Sequence, residues 1–555
     1  MKMKKILAAA MMSMMVIGSV AGCGWSSGTE EGSTGAGAAS GNREDEVNQQ
    51  AYETEQDMSA GTSMTFGIQN YSSGGLDPAA EINCAWNLSR YGVGECLFKF
   101  DNSMNVVNTL CDEYTVNDEH TEWVFHIRDG VKFSDGCDVT AEAVKASFDR
   151  LYEEAPNGSS APQNYLEAEA EITADNETGN VTIRTTQPYV DLTKNLGYPV
   201  MAIIDVEHTT DFDHGVIGTG PYVATNFREE VGYTMVANEH YWNGEVPFDT
   251  VELLYMGDAS AKAMALQAGQ LDLAENVTNI NDLNTLRDDS NFTVTVASSV
   301  RTGLAHMNMS EGRLLSNKTL REAVLMALDD ETMCSVTVGG LYTSGCSVLP
   351  SNLDYGYENL TDPYAYNVEE AKKLLDDAGI VDTNGDGIRE LDGKEVILHY
   401  VTYENRCLDD FAEAIQQQLS EIGIGVDLEI GDSARQWDSY QSGDFDLNGS
   451  NWTTVGTGDP TEYLAAWCST SGSDYCGYKN EEYDSLFEQL GTTFDEDARR
   501  DIVQKMQQIL LDDAAVIVHG YYNSSMISRN ETIGGAAIST ADYYWLTTDI
   551  YPAAQ

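Results

Sequence analysis

Apolar residues recur at helical spacing in six stretches of the chain, with short β-branched runs between them. Thr140 precedes Val144, Phe148 and Leu151, a spacing that predicts a capped helix with one buried face. Asp258 opens a second helix through Ala263 and Leu266, and Gly269 stops it. Leu320, Ala323, Val324, Ala327 and Leu328 form a third stripe. Asn367 with Glu370 reads as a capping box, and Gly379 closes that helix after Leu374 and Leu375. Phe411, Ile415, Leu419 and Ile422 mark a fifth helix; Ile502, Met506, Ile509 and Leu510 mark a sixth. Thr182–Thr185, Thr293–Val296 and Glu395–Leu398 read as strands. Strands alternating with amphipathic helices over this length predict an α/β protein with mixed sheets.

The N-terminus breaks this pattern. Lys2, Lys4 and Lys5 precede a mostly apolar stretch, Ile6 to Ala21, that is short for a bilayer-crossing helix. Residues 1–22 therefore read as a cleaved export signal. Val20-Ala21-Gly22-Cys23 resembles the bacterial lipoprotein box, which implies lipidation of Cys23; ordinary secretory cleavage after Gly22 is the alternative. Residues 23–61 are rich in Gly, Ser, Ala and acidic residues without hydrophobic period, the composition of a disordered tether. Such a leash spans roughly 30–40 Å. The expected location is the outer face of the cytoplasmic membrane, held there by lipid.

Charge narrows the partners. Ninety acidic residues face thirty basic ones, a formal net charge of −60. Such a chain repels nucleic acid and anionic lipid surfaces. Nine cysteines follow Cys23, so one at least stays unpaired within the chain. Cys468 and Cys476 bracket a short loop that a disulfide could close, with Cys334 and Cys346 a weaker pair. No cysteine–histidine cluster with zinc spacing is present, and no metal site or cofactor is expected.

The most specific signal is a set of ordered motifs. Trp123-Val124-Phe125-His126-Ile127-Arg128-Asp129-Gly130-Val131-Lys132-Phe133-Ser134-Asp135-Gly136 is followed by Val139 to Val144. Then come Gly218-Thr219-Gly220-Pro221-Tyr222, Asn238-Glu239-His240-Tyr241-Trp242, and Leu266 to Asp272. Arg321-Glu322-Ala323-Val324, Ala371 to Gly379, Glu421 to Val426 and Asp459-Pro460 complete the series. Over residues 62–555 the chain resembles the large solute-binding proteins of peptide ABC importers, the oligopeptide/dipeptide/nickel-binding family. That resemblance implies a two-lobed, three-domain body of the type II periplasmic-binding-protein kind, closing on ligand about a hinge. Lobe I would hold residues 62–300, with an extra domain at about 100–215, completed by 518–555; lobe II would hold 301–517. It also implies a binder rather than an enzyme, a monomer that captures small peptides and presents them to the transmembrane subunits of a permease.

Relatives in this family grip the peptide ammonium with an aspartate in a Trp-x-x-Asp stretch. Here Val455 stands at that position after Trp452, and Asp459 is the nearest replacement. Trp452 offers an aromatic face to peptide side chains. Arg406, between a strand ending near Thr402 and a helix beginning near Leu408, suits capture of a carboxylate. Asn70 and Tyr71 follow the first strand, where family members line the cleft and backbone hydrogen bonds can hold extended peptides. The stretch from Asp382 begins like a calcium loop, but its twelfth position is Gly393, so it reads as a polar turn. Eight scattered histidines offer no nickel set. A nickel-chelate, sugar or signalling-peptide binder on the same fold is the alternative. An extracellular hydrolase is a more distant one, since His-Glu-x-x-His does not occur and Gly-x-Ser-x-Gly occurs at Gly24 to Gly28, in the tether rather than at a strand–helix turn.

Overall fold

The computed structural model describes residues 62–69, 72, 75–158, 160–212 and 215–553. The signal segment, Cys23, the tether, Asn70 and Tyr71 lie outside the described residues. A mixed sheet of ten strands in line runs through the molecule. From one edge its order is Gly425–Gly431, Ile397–Tyr403, Leu447–Thr453, Phe292–Met307, Val516–Arg529, Leu273–Glu275, Ser63–Ile68, Thr250–Tyr255, Gly232–Ala237 and Tyr222–Arg228. Parallel pairs join Ile397–Tyr403 to both its neighbours and Ser63–Ile68 to both of its own; the other pairings are antiparallel. This is the α/β class the alternation predicts.

The two long strands in the middle join the halves. Phe292–Met307 and Val516–Arg529 pair antiparallel, with register breaks between Ser298 and Thr302 and between Gly303 and Leu304. Opposite the breaks, Gly520 holds φ +135, and a Cβ there would meet the Thr343 carbonyl oxygen at 2.7 Å. The short strand Tyr342–Thr343 pairs with Tyr521–Tyr522 at the same point. Bulges bend strands and increase local twist, so the sheet changes direction here.

A separate four-stranded antiparallel sheet orders Cys111–Val116, Glu122–Ile127, Asn180–Arg184 and Glu171–Asp175. Trp123, Phe125 and Ile127 alternate into its core, beneath the helix Ala141–Glu154, whose Thr140 hydroxyl accepts from the Ala143 amide. The other sequence-predicted helices start and stop where their caps place them. Asp258 accepts from the Ala261 amide and Gly269 takes φ +73; Asn367 accepts from the Glu370 amide and Gly379 takes φ +74.

The family motifs meet at one joint. Glu95 accepts hydrogen bonds from Thr219 Oγ1 (2.9 Å) and Trp242 Nε1 (2.8 Å), while Arg128 lies over the Trp242 ring. The Ser134 amide donates to the Gly218 carbonyl, and Asn238 Nδ2 donates to the Gly220 carbonyl. Gly218 and Gly220 are needed for close approach: a Cβ on either would stand 2.1 or 2.3 Å from the Val93 or Gly92 carbonyl oxygen. Thus three motifs spread over 120 residues of sequence build a single contact between the separate sheet and the main one.

All nine cysteines among the described residues are free thiols. The expected Cys468–Cys476 bridge is absent, as is Cys334–Cys346. Cys468 and Cys476 are buried in one apolar cluster with Trp467 and Tyr483, where they pack as small hydrophobes.

Candidate functional site

Three arginines and one carboxylate gather where the two halves meet. Asp542 Oδ2 accepts from Arg90 Nη2 (3.1 Å) and from Arg301 Nη2 (3.1 Å) and Nε (3.2 Å). All three side chains are buried. Burial works against the charged form of Asp542, but Arg90, Arg301 and Arg406 outweigh it and hold the carboxyl below its usual range. Arg406 is the third cation. Its guanidinium lies 5.6 Å over the Tyr522 ring and forms no hydrogen bond or ion pair with the described residues. Asp542 acts on all three guanidiniums and the buried Glu275 also acts on Arg90, while Arg406 alone of the three has no hydrogen-bonded carboxylate among the described residues.

The turn that presents Arg406 is strained and braced. Arg406 and Cys407 both adopt left-handed backbone, φ +49 and +57, a conformation costing roughly 1–3 kcal/mol per non-glycine residue. Tyr342 Oη donates to the Arg406 carbonyl (2.8 Å), and Asn451 Nδ2 donates to Tyr342 Oη (2.9 Å). The helix that follows, Leu408–Glu421, begins with Asp409 and Asp410. Those carboxylates oppose an anion at the helix N-terminus, so the guanidinium itself, rather than the amides, is the anion-seeking group.

An aromatic wall adjoins the arginines. Trp86 Nε1 donates to Tyr198 Oη (3.1 Å); Tyr198 stacks on Tyr165 at 4.6 Å and meets Tyr543 edge-on at 5.5 Å. Arg90 and Arg301 lie 5.6 and 5.9 Å from the Trp86 ring centroid. Trp86 is the half-exposed member. Glu462, in the short helix Thr461–Leu464 of the opposite half, acts electrostatically on Tyr198 and Tyr165. Its carboxylate is exposed, yet enough protein surrounds it for desolvation to push its pKa up to about 7. Glu462 has no hydrogen-bond or ion-pair partner among the described residues.

The sequence-predicted residues fall into different settings. Arg406 lies in the site. Trp452 is half-buried on the strand Leu447–Thr453, its ring 4.7 Å from His306 and about 6 Å from Tyr440 and Tyr463. Asp459 does not offer a free carboxylate: Oδ2 pairs with Arg499 Nη2 at 2.5 Å, and Oδ1 accepts from the Thr461 amide and hydroxyl. Val455 is fully buried beside the aromatic wall, in the cluster that holds Tyr198 and Tyr543. Asp382 accepts from the Gly385 and Gly387 amides, which makes the calcium-like stretch a tight polar turn. His306 and His519 are buried and neutral, desolvation taking both pKa values down to about 3. Sequence reasoning missed Arg90, Arg301, Asp542, Trp86 and Glu462. Only Glu462 left a trace, as an acidic residue just past the expected clamp.

The family model for the bacterial extracellular solute-binding proteins, family 5, matches residues 105–475. The chain belongs to this family. Relatives include the "Probable D,D-dipeptide-binding periplasmic protein DdpA" of Escherichia coli (strain K12), 26% identical over 479 residues, covering 83% of this chain and 88% of that protein. The nickel-binding protein NikA of Staphylococcus aureus is 24% identical over 460 residues, covering 82% and 88%. Among solved structures, Brucella suis NikA in complex with Fe(III)-EDTA superposes with TM-score 0.78 at 21% identity, covering 88% of this chain and 99% of that one. Bacillus subtilis AppA in complex with a nonapeptide gives 0.70 at 22% identity, covering 89% and 99%. The family 5 fold is thus the two-lobed one expected, and the protein is a substrate-binding component of ABC import, not an enzyme. No helix among the described residues is long and apolar enough to cross a membrane.

Proposed function

We propose that this family 5 protein is a lipid-anchored receptor that takes a short peptide, as a zwitterion, into the cleft and delivers it to an ABC permease. The observation that carries the reading is the charge layout: the Arg406 guanidinium over Tyr522, with no hydrogen-bonded carboxylate, and the accessible Glu462 carboxylate beside the aromatic wall. A free peptide brings one carboxylate and one ammonium, so both partners leave water with their charges matched. Glu462 takes the ammonium role that Val455 and Asp459 cannot fill, and Trp86 adds an aromatic face that favours a cation. Asn70 and Tyr71 hold the peptide backbone beside the first strand. Lobes of residues 62–300 with 518–555, and 301–517, close by bending at the register breaks of the two long strands. Cys23 supplies the anchor and residues 23–61 the reach.

Native mass spectrometry of the protein purified from its own host tests the reading. Peptides released from the cleft are the expected result; a metal chelate or a sugar in their place overturns the substrate. Calorimetry then separates the two charges. Arg406→Ala is expected to weaken peptide binding about tenfold or more, the scale of a charge-assisted hydrogen bond, with less effect on a peptide amidated at its C-terminus.

A further inference from the structure

Two turns remote in sequence face each other at the joint where the family motifs meet. One, Ser134 to Asp138, closes a tight loop whose ends pair through Lys132 and Asp138. The other, Asp205 to His208, follows the chain's return from the separate sheet to the main one. Asp135, Cys137, Asp205 and His208 each bring one donor atom to within 4.8 Å of the other three. No other group of three or more such side chains converges this way among the described residues. The donors are a thiol, an imidazole and two carboxylates, and they come from segments some seventy residues apart.

We propose that these four side chains form a binding site for a borderline divalent cation of the zinc class. A tetrahedral ion with sulfur at ~2.3 Å and nitrogen or oxygen at ~2.0–2.2 Å accepts this ligand set in a closed, structural geometry. Mixed sulfur, nitrogen and oxygen donors disfavour calcium or magnesium, which take oxygen alone. The turn geometry supports the ligands. Asp205 Oδ1 accepts the amides of Glu207 and His208, both at 3.0 Å, which leaves Oδ2 facing His208 Nδ1 at 2.8 Å. Asp135 Oδ2 stands 3.7 Å from the same imidazole nitrogen, and Asp135 Oδ1 accepts the Cys137 amide. Gly136, at φ +93, lets the loop double back, and His240 Nε2 lies 3.0 Å from where its Cβ would be.

A divalent ion bound here would displace the thiol and imidazole protons. A bound ion would tie the Ser134–Asp138 loop to the crossing at residues 205–220, where the Asp205 amide already donates to the Ile217 carbonyl. The role is structural, a clip at the joint, independent of what the cleft binds.

The test uses the full mature chain stripped of metal by chelator, titrated with Co²⁺ and then Zn²⁺. One equivalent of Co²⁺ with a thiolate charge-transfer band, displaced by Zn²⁺, is expected. Cys137→Ser should remove the band, and His208→Ala should weaken Zn²⁺ binding at least tenfold. Zinc should raise the melting temperature of the native chain and leave that of the double variant unchanged. His208 is exposed, so its replacement reads out the site even where the cysteine variant folds poorly. Absence of saturable binding overturns the proposal, as does one equivalent that survives the Cys137→Ser, His208→Ala double change.

Discussion

Glu462 and Asp459 lie three residues apart and have opposite fates. Asp459 is consumed by Arg499 and Thr461, so Asp459→Asn strands a largely buried guanidinium. We expect it to cost up to about 3–5 kcal/mol of unfolding free energy, measured in urea, with peptide affinity unchanged. Glu462→Gln should do the reverse, leaving stability alone and weakening peptide binding about tenfold or more at pH 8. The pH dependence follows in sign. With its pKa pushed up to about 7 by desolvation, Glu462 loses its charge as pH falls through that value. Calorimetry should show affinity dropping in the same window for the native chain and staying flat for the variant. Sequence could not separate the two carboxylates, because what distinguishes them is an arginine forty residues away and the enclosure of a cleft. The strand–turn–helix setting of Arg406 was legible because it is local. Arg90, Arg301 and Asp542 were not, since their meeting spans 452 residues.

At the scale of elements, local chemistry was readable and assembly was not. Caps and stop signals such as Thr140, Asp258, Gly269 and Gly379 act within a turn of chain, and the structure puts helix ends at each. The glycines of the Gly218-Thr219-Gly220 motif are required by carbonyls of residues 92 and 93 pressed against them, a cause the local sequence does not display. The cysteine loop misled for the same reason, as spacing says nothing about what each thiol packs against. The brace on the Arg406 turn yields a prediction of this order. Tyr342→Phe removes the hydrogen bond to the strained carbonyl but keeps the ring, so peptide affinity should fall several-fold while the guanidinium is still present. Unchanged affinity in calorimetry would show that the turn holds itself. Gly520→Ala places a Cβ at a forbidden φ against Thr343, and should cost roughly 1–3 kcal/mol in denaturant titration.

For the whole molecule, the joined halves make closure the observable. Small-angle scattering should show a smaller radius of gyration when peptide is added, and Glu462→Gln should need more peptide to reach it. The architecture carries a further consequence for how the chain comes to exist. The strand Val516–Arg529 sits between Phe292–Met307 and Leu273–Glu275, so the N-terminal half of the sheet keeps an empty slot until nearly the last residues are made. A nascent chain therefore cannot finish even its first half ahead of its last. Such late, long-range closure slows folding. It keeps the polypeptide loose until its last strand is made, and a chain truncated before residue 516 should never reach a protease-resistant state.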